Sequence, residues 1–504
     1  VVETVKPEAG KLQVSYNGNM NISMPDLSSY NLMNSREKLE FELLAGRYDP
    51  VNWSTTNEVE LTRLYNEKLK KIESGVNTYW LAEPLRVGVN QKHSLYVQGG
   101  EGNFLFGLGA GYNGISGVME KSERDVISGN IDLIYRMSKF QFSNKFSLTS
   151  THFKNPIVAF SAYAAANPYY KKYNDEGTVD KWLEYNDYFK ASNPLWNASQ
   201  NSRDKGNNLL LSNYFMAEYF PTTEWRVRAR LGLTYGNDDT EKFYSRNDTR
   251  YEDVETIKKG EYRSTNTRKN QVEAELSVTY AKVLGKHRIN LVAGGNLSSD
   301  KSLTQGYSAL GFPEGEIEFP SEEVITSLLR DTFESISEVE GFPDGDFSYP
   351  SFSNGFPENA TPTYYETVSR SVNGYFNTGY SFDDRYLMDF SLRTSGSSVF
   401  GTSRKYNTTW SVGLGWNLHK EKFIMDHVAW INILKLRASI GNPGNQSFDS
   451  AQSLLTYSFQ YGSMNYFGLG AVLSQIGNPD LEWQITVDKN IGLDVTLFNK
   501  RFSL

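Results

Sequence analysis

Apolar and polar residues alternate with a period of two along most of this chain. In RVRARLGLTY (226–235), Val227, Ala229, Leu231, Leu233 and Tyr235 fall on one face, with Arg226, Arg228, Arg230, Gly232 and Thr234 on the other. FQFSNKFSLTS (140–150), QVEAELSVTY (271–280) and TWSVGLGWNLH (409–419) repeat the pattern. Each run is about ten residues long, the length of a tilted strand that crosses a bilayer. About fourteen such strands and the start of another are predicted, beginning near residues 11, 93, 103, 128, 139, 208, 224, 271, 286, 370, 385, 407, 432 and 482.

The connections carry the second half of the pattern. Short links fall near 99–102, 138–139, 221–223, 283–286, 383–385 and 499–500, with one of intermediate length at 420–431. They alternate with long links at about 23–90, 151–207, 237–270, 299–369 and 443–480, and smaller ones at 113–127 and 397–406. Short turns at one rim and long loops at the other are the arrangement of an outer-membrane barrel. A soluble sandwich has no reason to put all its long loops at one end. The loops are rich in Asn, Asp, Gly, Pro and Tyr and are too long to be mere connectors, so they are expected to fold over the mouth. Two helices are predicted in the first: 33–46, with Ser35 as cap and Leu39, Leu43 and Leu44 as its apolar residues, and 56–75.

Composition narrows the class. The 504 residues include 32 Tyr, 41 Gly and no Cys, which favours strands and excludes thiolate metal sites and cysteine nucleophiles. Five histidines, none spaced as HxxxH or HExxH, make a histidine metal centre a poor expectation. The net charge is −8 and no long basic run occurs, so nucleic acid is not expected as a partner. No run of 18 apolar residues exists, so no membrane-spanning helix is predicted. The mean hydropathy of −0.52 looks soluble, but so does that of a barrel with a polar lumen. The opening VVETVKPEAG carries no charged-then-apolar leader.

Several blocks, in this order and spacing, resemble the SusC/RagA-type TonB-dependent transporters of the Bacteroidetes outer membrane. They are VVETVKPEAGKLQVSYNGNMNIS (1–23), HSLYVQGGEGNFLFGLGAGYNGISGV (93–118), VNGYFNTGYSFDDRYLMDFSLRTSGSSVFG (372–401), TTWSVGLGWNLHKEKFI (408–424), LKLRASIGNPGNQ (434–446) and NPDLEWQITVDKNIGLDVTLFNKR (478–501). The resemblance implies an all-β transmembrane antiparallel barrel of 22 strands with long extracellular loops. About 14–15 of those strands are present here. Family members are about twice as long, so an internal piece is expected: residues 1–10 as the end of a plug domain and 11–504 as a partial barrel. About seven more strands should follow Leu504, and a gene that stopped there would contradict this expectation.

The resemblance also implies a function: active import of a large nutrient, glycan or oligosaccharide first and oligopeptide as the alternative. The expected partners are a SusD-like surface lipoprotein acting as a lid, the TonB complex pulling on the plug, and outer-membrane lipid. Two other readings stand beside it: a siderophore-type or passive barrel without a lid lipoprotein, and a secreted glycan-binding β-protein or adhesin.

Individual motifs weigh less. GAGYNG (109–114) matches a dinucleotide fingerprint, but it sits in an alternating strand with no helix expected after it. Arg226, Arg228 and Arg230 must face the lumen, because each would cost about 2–4 kcal/mol at the lipid midplane. There they would touch an anionic substrate or the plug, or simply pair with carboxylates such as Glu273 and Glu275. Trp225, Tyr235, Tyr280, Trp410 and Trp416 are expected as interface anchors. The loop aromatics Tyr163, Tyr169, Tyr170, Trp182, Tyr185, Trp196, Tyr307 and Phe342 are either loop packing or flat faces for a sugar or peptide. Of these, Tyr169, Tyr170, Trp182, Trp196 and Tyr307, with the three arginines, are the substrate-contact candidates. Asn174-Asp175-Glu176 and Asn237-Asp238-Asp239 read as solvated turns, since neither has the DxDxDG spacing of a calcium loop. No catalytic arrangement and no cofactor is expected. If the alternating runs span a bilayer, the protein expressed from its whole gene stays with the membrane pellet through carbonate washing. Release into the soluble fraction would remove the barrel and leave the secreted β-protein.

Overall fold

The computed structural model describes residues 10–53, 57–311, 361–398, 405–428, 430–442, 456–465, 468–476, 478, 486–498 and 501–503. The expected end of a plug, except for Gly10, and Phe342 lie outside them. The first strands are β1 (Gly10–Ser23), β2 (Gly88–Glu101), β3 (Phe104–Ser116), β4 (Glu123–Met137) and β5 (Phe140–Asn155). A small hairpin, β6 (Trp182–Tyr185) with β7 (Lys190–Ser192), stands in the loop that follows. Then come β8 (Arg203–Tyr219), β9 (Trp225–Tyr244), β10 (Glu261–Leu284), β11 (His287–Leu310) and β12 (Thr361–Phe382). After these are β13 (Tyr386–Ser397), β14 (Tyr406–Asn417) and β15 (Ile431–Gly441). The ladder β16 (Thr456–Asn465) with β17 (Gly468–Gln475) stands apart, followed by β18 (Asp488–Leu497) and β19 (Phe502–Ser503). One 15-stranded sheet runs β1-β2-β3-β4-β5-β8-β9-β10-β11-β12-β13-β14-β15-β18-β19, every neighbouring pair antiparallel.

The strand count and the alternation of links agree with the sequence pattern. Most strand starts agree within one residue as well, but several do not. β2 begins at Gly88 and not near 93, β10 at Glu261 and not near 271, and β12 at Thr361 and not near 370. The added part of β10, EYRSTNTRKN, is polar on both faces. Alternation appears only where one face meets an apolar medium; beyond it both faces are wet, and pairing continues without that signature. Asn237-Asp238-Asp239 accordingly belongs to β9 and is not a loop turn, and the link between β3 and β4 spans only 117–122.

Register assigns the faces. Leu231, Leu233, Leu276, Leu297 and Leu414 point outward and stay 42–58% exposed, a surface suited to lipid and costly in water. At the short-turn end the outward face carries an aromatic row. Phe104 pairs with Tyr135, Phe140 with Tyr219 at 4.6 Å, Trp225 with Tyr280 at 4.7 Å, and Tyr386 with Trp416 at 6.2 Å between ring centres. Tyr235 lies about ten positions beyond Trp225 on the same face, roughly 25 Å along the membrane normal for a tilted strand, which is the height of the apolar band.

The turns below are tight. In the three-residue link 383–385, Asp383 and Asp384 both have positive φ (54° and 53°), Arg385 N–H closes the turn on Phe382 O, and Lys286 and Arg385 hold Asp383 at 3.2 and 2.9 Å. The GAGYNG glycines lie in β3, with β4 and no helix after them. A Cβ at Gly109 would stand 2.0 Å from Asn130 Oδ1, so the neighbouring strand's amide side chain occupies that space.

Within the described residues no helix is long and apolar enough to cross a membrane, and the apolar outward band is carried by the strands. Leu231→Arg should therefore destabilise the folded full-length barrel in vesicles by about 2–4 kcal/mol, and Thr234→Arg, on the opposite face, by about 1 kcal/mol or less. Denaturant titration followed by tryptophan fluorescence reads the difference.

Candidate functional site: the loop assembly and the lumen wall

The loop at 24–87 carries α1 (Ser35–Leu44) and α2 (Glu58–Glu73). α1 starts on Asn34, whose side chain accepts from the Glu37 amide while Glu37 returns a bond to Asn34 N–H. Asn34, not Ser35, is thus the cap, and Ser35 Oγ instead donates to Asn77 Oδ1 at 3.0 Å. The buried face of α1 is Ser35, Leu39 and Glu42, spaced four and three, so Leu43 and Leu44 fall off it and stay 49% and 81% exposed. α2 buries Leu61, Leu64 and Lys68 on one stripe, and Asn57 caps it.

Two charged groups therefore sit on the inner faces of these helices, and each meets residues from the loop at 156–202. That loop holds α3 (Phe160–Ala165), the β6–β7 hairpin and α4 (Pro194–Ser199). Lys68 Nζ bonds Glu184 at 2.6 Å with both side chains under 10% exposed, and lies 4.7 Å from the Phe189 ring centre. Tyr170 donates its hydroxyl to Glu184 as well. Glu42 accepts from the Tyr48 hydroxyl at 3.0 Å, the Tyr169 hydroxyl at 2.9 Å and Asn167 Nδ2 at 3.3 Å. Burial pushes the Lys68 ammonium below its usual range and Glu184 draws it partly back. Burial raises the hydroxyls of Tyr169 and Tyr170, which keeps them protonated as donors.

Tyr169 and Tyr170 are 0% and 2% exposed, packed with Trp80 as a core under the loops. Both pack under the loops, as does the buried Tyr163; Tyr169 has no exposed face for a ligand, whereas Tyr170 also borders the cleft described below. The charged residues Glu42, Lys68 and Glu184 were not anticipated. The available signal was position: Lys68 lies on the Leu61/Leu64 stripe, where a charge is buried unless it snorkels.

Further bonds tie in the neighbouring loops. Lys121 Nζ donates to Ala198 O at 2.7 Å, and Arg86 N to Val118 O at 2.7 Å. Trp196 Nε1 donates to Asn247 O at 3.0 Å, and Lys190 bonds Asp253 at 2.8 Å. The loops at 24–87, 117–122, 156–202 and 245–260 thus form one connected assembly at one rim of the sheet. Between α2 and the 170–193 segment it leaves a cleft of about 500 Å³, whose lining includes Lys70, Lys71, Tyr173, Asn174 and Trp182. Tyr173 is 53% exposed and Trp182 half-buried, so flat aromatic faces meet there with three lysines, Lys171 being the third, and the carboxylates of Glu67, Asp175 and Asp180. Trp196 and Tyr307 lie outside the cleft: Trp196 is half-buried against the 245–260 loop, and Tyr307 stands on β11, 6.5 Å from Tyr262.

The arginine ladder faces the lumen and is neutralised. Arg228 meets Glu218 at 3.1 Å, with Arg226 at 3.9 Å, and Arg230 meets both Glu273 and Glu275 at 3.1 Å. Tyr375 donates to Glu275 at 2.9 Å. The pairing with Glu273 and Glu275 is the one expected from the sequence, and Glu218 on β8 adds a carboxylate that was not anticipated. Asn174 Oδ1 accepts from the amides of Glu176 and Thr178, and Lys171 holds Asp175 at 2.9 Å, so this acidic cluster is a self-bonded turn. Among the described residues no group of three or more His, Cys, Asp or Glu is placed to hold a metal.

A fifteen-stranded antiparallel meander with an apolar exterior, a charged interior and welded loops at one rim narrows the family sharply. The model of the TonB dependent receptor-like β-barrel matches residues 139–504. The chain belongs to that family.

Among curated TonB-dependent receptors, SusC of Bacteroides thetaiotaomicron is 22% identical over an alignment covering 100% of this chain and 47% of SusC. Receptor P26 of Formosa agariphila is 23% identical over 80% of this chain and 38% of its own length. The RagAB peptide transporter structure superposes with a TM-score of 0.74 over 99% of this chain and 54% of the matched one, at 17% identity, which establishes the fold. This TonB-dependent receptor barrel thus spans about half the length of such relatives, or less.

Removing one member of the buried pair should open the assembly. Lys68→Met in the full-length receptor leaves Glu184 uncompensated and should cost about 3–5 kcal/mol locally, whereas Lys68→Met with Glu184→Met recovers most of it. Hydrogen exchange across 156–202 is the measurement, and equal protection in wild type and the single variant would dismiss the weld.

Proposed function

We propose that this barrel is part of an outer-membrane importer of a large nutrient, the SusC-like half of a pair with a SusD-like surface lipoprotein, energised through TonB acting on a plug. The observation that carries the proposal is the single assembly of four loops seated over one rim of a charged lumen wall. Such a mouth presents a built surface to solute before the lumen is reached. Residues 1–10 would then be the end of the plug and the rest a share of the barrel.

Glycan is the substrate class the cleft favours. Sugars stack their C–H faces on flat aromatic rings and bond charged groups at the edge, and Trp182, Tyr173, Lys71 and Asp175 offer that set within one cleft. Oligopeptide is the second reading, supported by the fold shared with a structure named as a peptide transporter. Trp196, Tyr307 and the arginines Arg226, Arg228 and Arg230 remain secondary contact candidates. The ladder is the weakest of them because each guanidinium already has a carboxylate near it. A barrel working without a lid lipoprotein is the remaining alternative, and an adjacent SusD-like gene would argue against it.

The test is a binding panel of labelled oligosaccharides and oligopeptides against the purified full-length receptor with its co-purifying lipoprotein. An oligosaccharide should bind, and Trp182→Ala should weaken it by about tenfold, the loss expected for one stacked ring. Binding of peptides alone would replace the glycan reading. Glycoside hydrolase genes beside the coding sequence would point the same way as glycan binding, peptidase genes the opposite way.

A further inference from the structure

The lumen face is uneven. On β8–β10 it is filled by Glu218, Arg228, Arg230, Glu273 and Glu275, with Tyr375 reaching across from β12. A recess of about 400 Å³ opens above this network among Leu210, Thr234 and Gln271, and it ends where the ladder begins. On β13–β18 small inward residues alternate with charged ones and leave room between them. Gly413, Gly415, Ser411 and Ser439 form the floor of two adjoining hollows of about 460 and 320 Å³, which share Ser439 and Asn490. Together they make one groove. Along β13 its lining runs from Leu387 to Arg393, roughly 20 Å of strand. Its lower end reaches Leu387 and Gly415, each one residue from the aromatic row at Tyr386 and Trp416.

The chemistry of the two sectors differs as much as their shape. Passing a solute over the ladder would mean breaking carboxylate–guanidinium pairs already satisfied by one another. The groove offers the hydroxyls of Ser391, Ser411 and Ser439, the amide of Asn490 and backbone, interspersed with the charged groups of Asp389, Arg393, Lys435, Arg437 and Asp488, a series of separate contacts that a polar solute can exchange one after another, which is what conduction along a wall needs. Arg437 lies over Gly492, where a Cβ would stand 2.8 Å from its Nε, and it is held by Asp494 at 3.0 Å, so it is folded flat against the wall. Among the described residues Asp389 and Lys435, at the lower end, are held in no ion pair.

We propose that the imported solute, a polar extended oligomer, travels along this β13–β18 groove and not past the ion ladder on β8–β10. The inference rests on the import function proposed above. These 504 residues contain no cysteine, so single cysteines can report the path in a full-length receptor whose cysteines outside them, where present, are replaced by serine. Ser411→Cys and Ser439→Cys place thiols in the groove, and Ser143→Cys and Thr279→Cys place them on the ladder side of the lumen. The probe is a membrane-impermeant maleimide, applied to energised cells and to cells lacking TonB, with heat-modifiable migration to confirm that each variant is assembled.

The two groove thiols should react about tenfold faster in energised cells, following the larger open fraction, while the two ladder-side thiols keep their rate. Acceleration on the ladder side alone, or equally at all four positions, overturns the groove as the path and leaves TonB-driven import standing. No change at any of the four overturns energised import itself, and the groove with it.

Discussion

Lipid offers no hydrogen-bond partner, so each backbone N–H and C=O within it must be paired by the protein itself. Everything else in this structure follows from that constraint. It requires an antiparallel ladder in which each strand satisfies its neighbours, and the sheet from β1 to β19 is such a ladder, with continuous register through the 24-residue pairing of β10 with β11. A meander of this kind sends alternate connections to opposite rims. The loop ends are thereby sorted without any instruction in the loops themselves, and the described long ones, at 24–87 and 156–202, gather where they touch.

That gathering explains why charged residues can be buried outside the membrane. The segments 24–87 and 156–202 are separated by four strands of the chain's own order, yet their roots stand at the same rim. Glu42 and Lys68 meet partners more than a hundred residues away, Tyr169 and Glu184 respectively. A buried ion pair of this sort adds little net stability compared with an apolar pair of the same volume, because desolvation offsets the attraction. What it adds is selectivity of arrangement. Greasy helices could settle in many orientations, whereas Lys68 facing Glu184, with Tyr170 on the same carboxylate, is satisfied in one.

The part of the fold that faces lipid was legible in the sequence, because an apolar medium on one side and water on the other print a two-residue period. Val227, Leu231 and Leu233 against Arg226, Arg228 and Arg230 gave the β9 faces directly, and Trp225 with Tyr280 gave the lower interface. The upper ends of β10 and β12 left no such print, since water wets both sides there. The loops were legible in their order and in the two helices of the first, but neither in their extent nor in their packing. Nothing in the local sequence distinguishes Tyr170, enclosed by Trp80 and bonded to Glu184, from Tyr173, exposed a few residues on. Only contacts between distant segments decide which aromatic is core and which is surface. The cap at Asn34 was missed for a smaller reason: Ser35 and Asn34 are both good caps, and only the reciprocal bond to Glu37 selects between them.

The arginine ladder shows how the same residues change meaning with their neighbours. Three guanidiniums on one strand face look, in sequence, like a positive surface waiting for an anion. In the sheet, β8 and β10 bring Glu218, Glu273 and Glu275 alongside, and the surface becomes nearly neutral. Cross-strand pairing is set by register, so the neutralisation is a consequence of the same ladder that the membrane demands. A wall of mutually satisfied charges is hydrated, stiff and indifferent to small anions. In the proposed import it would bound a lumen without trapping what moves through it, and would leave recognition to the aromatic cleft in the loops and the β13–β18 face.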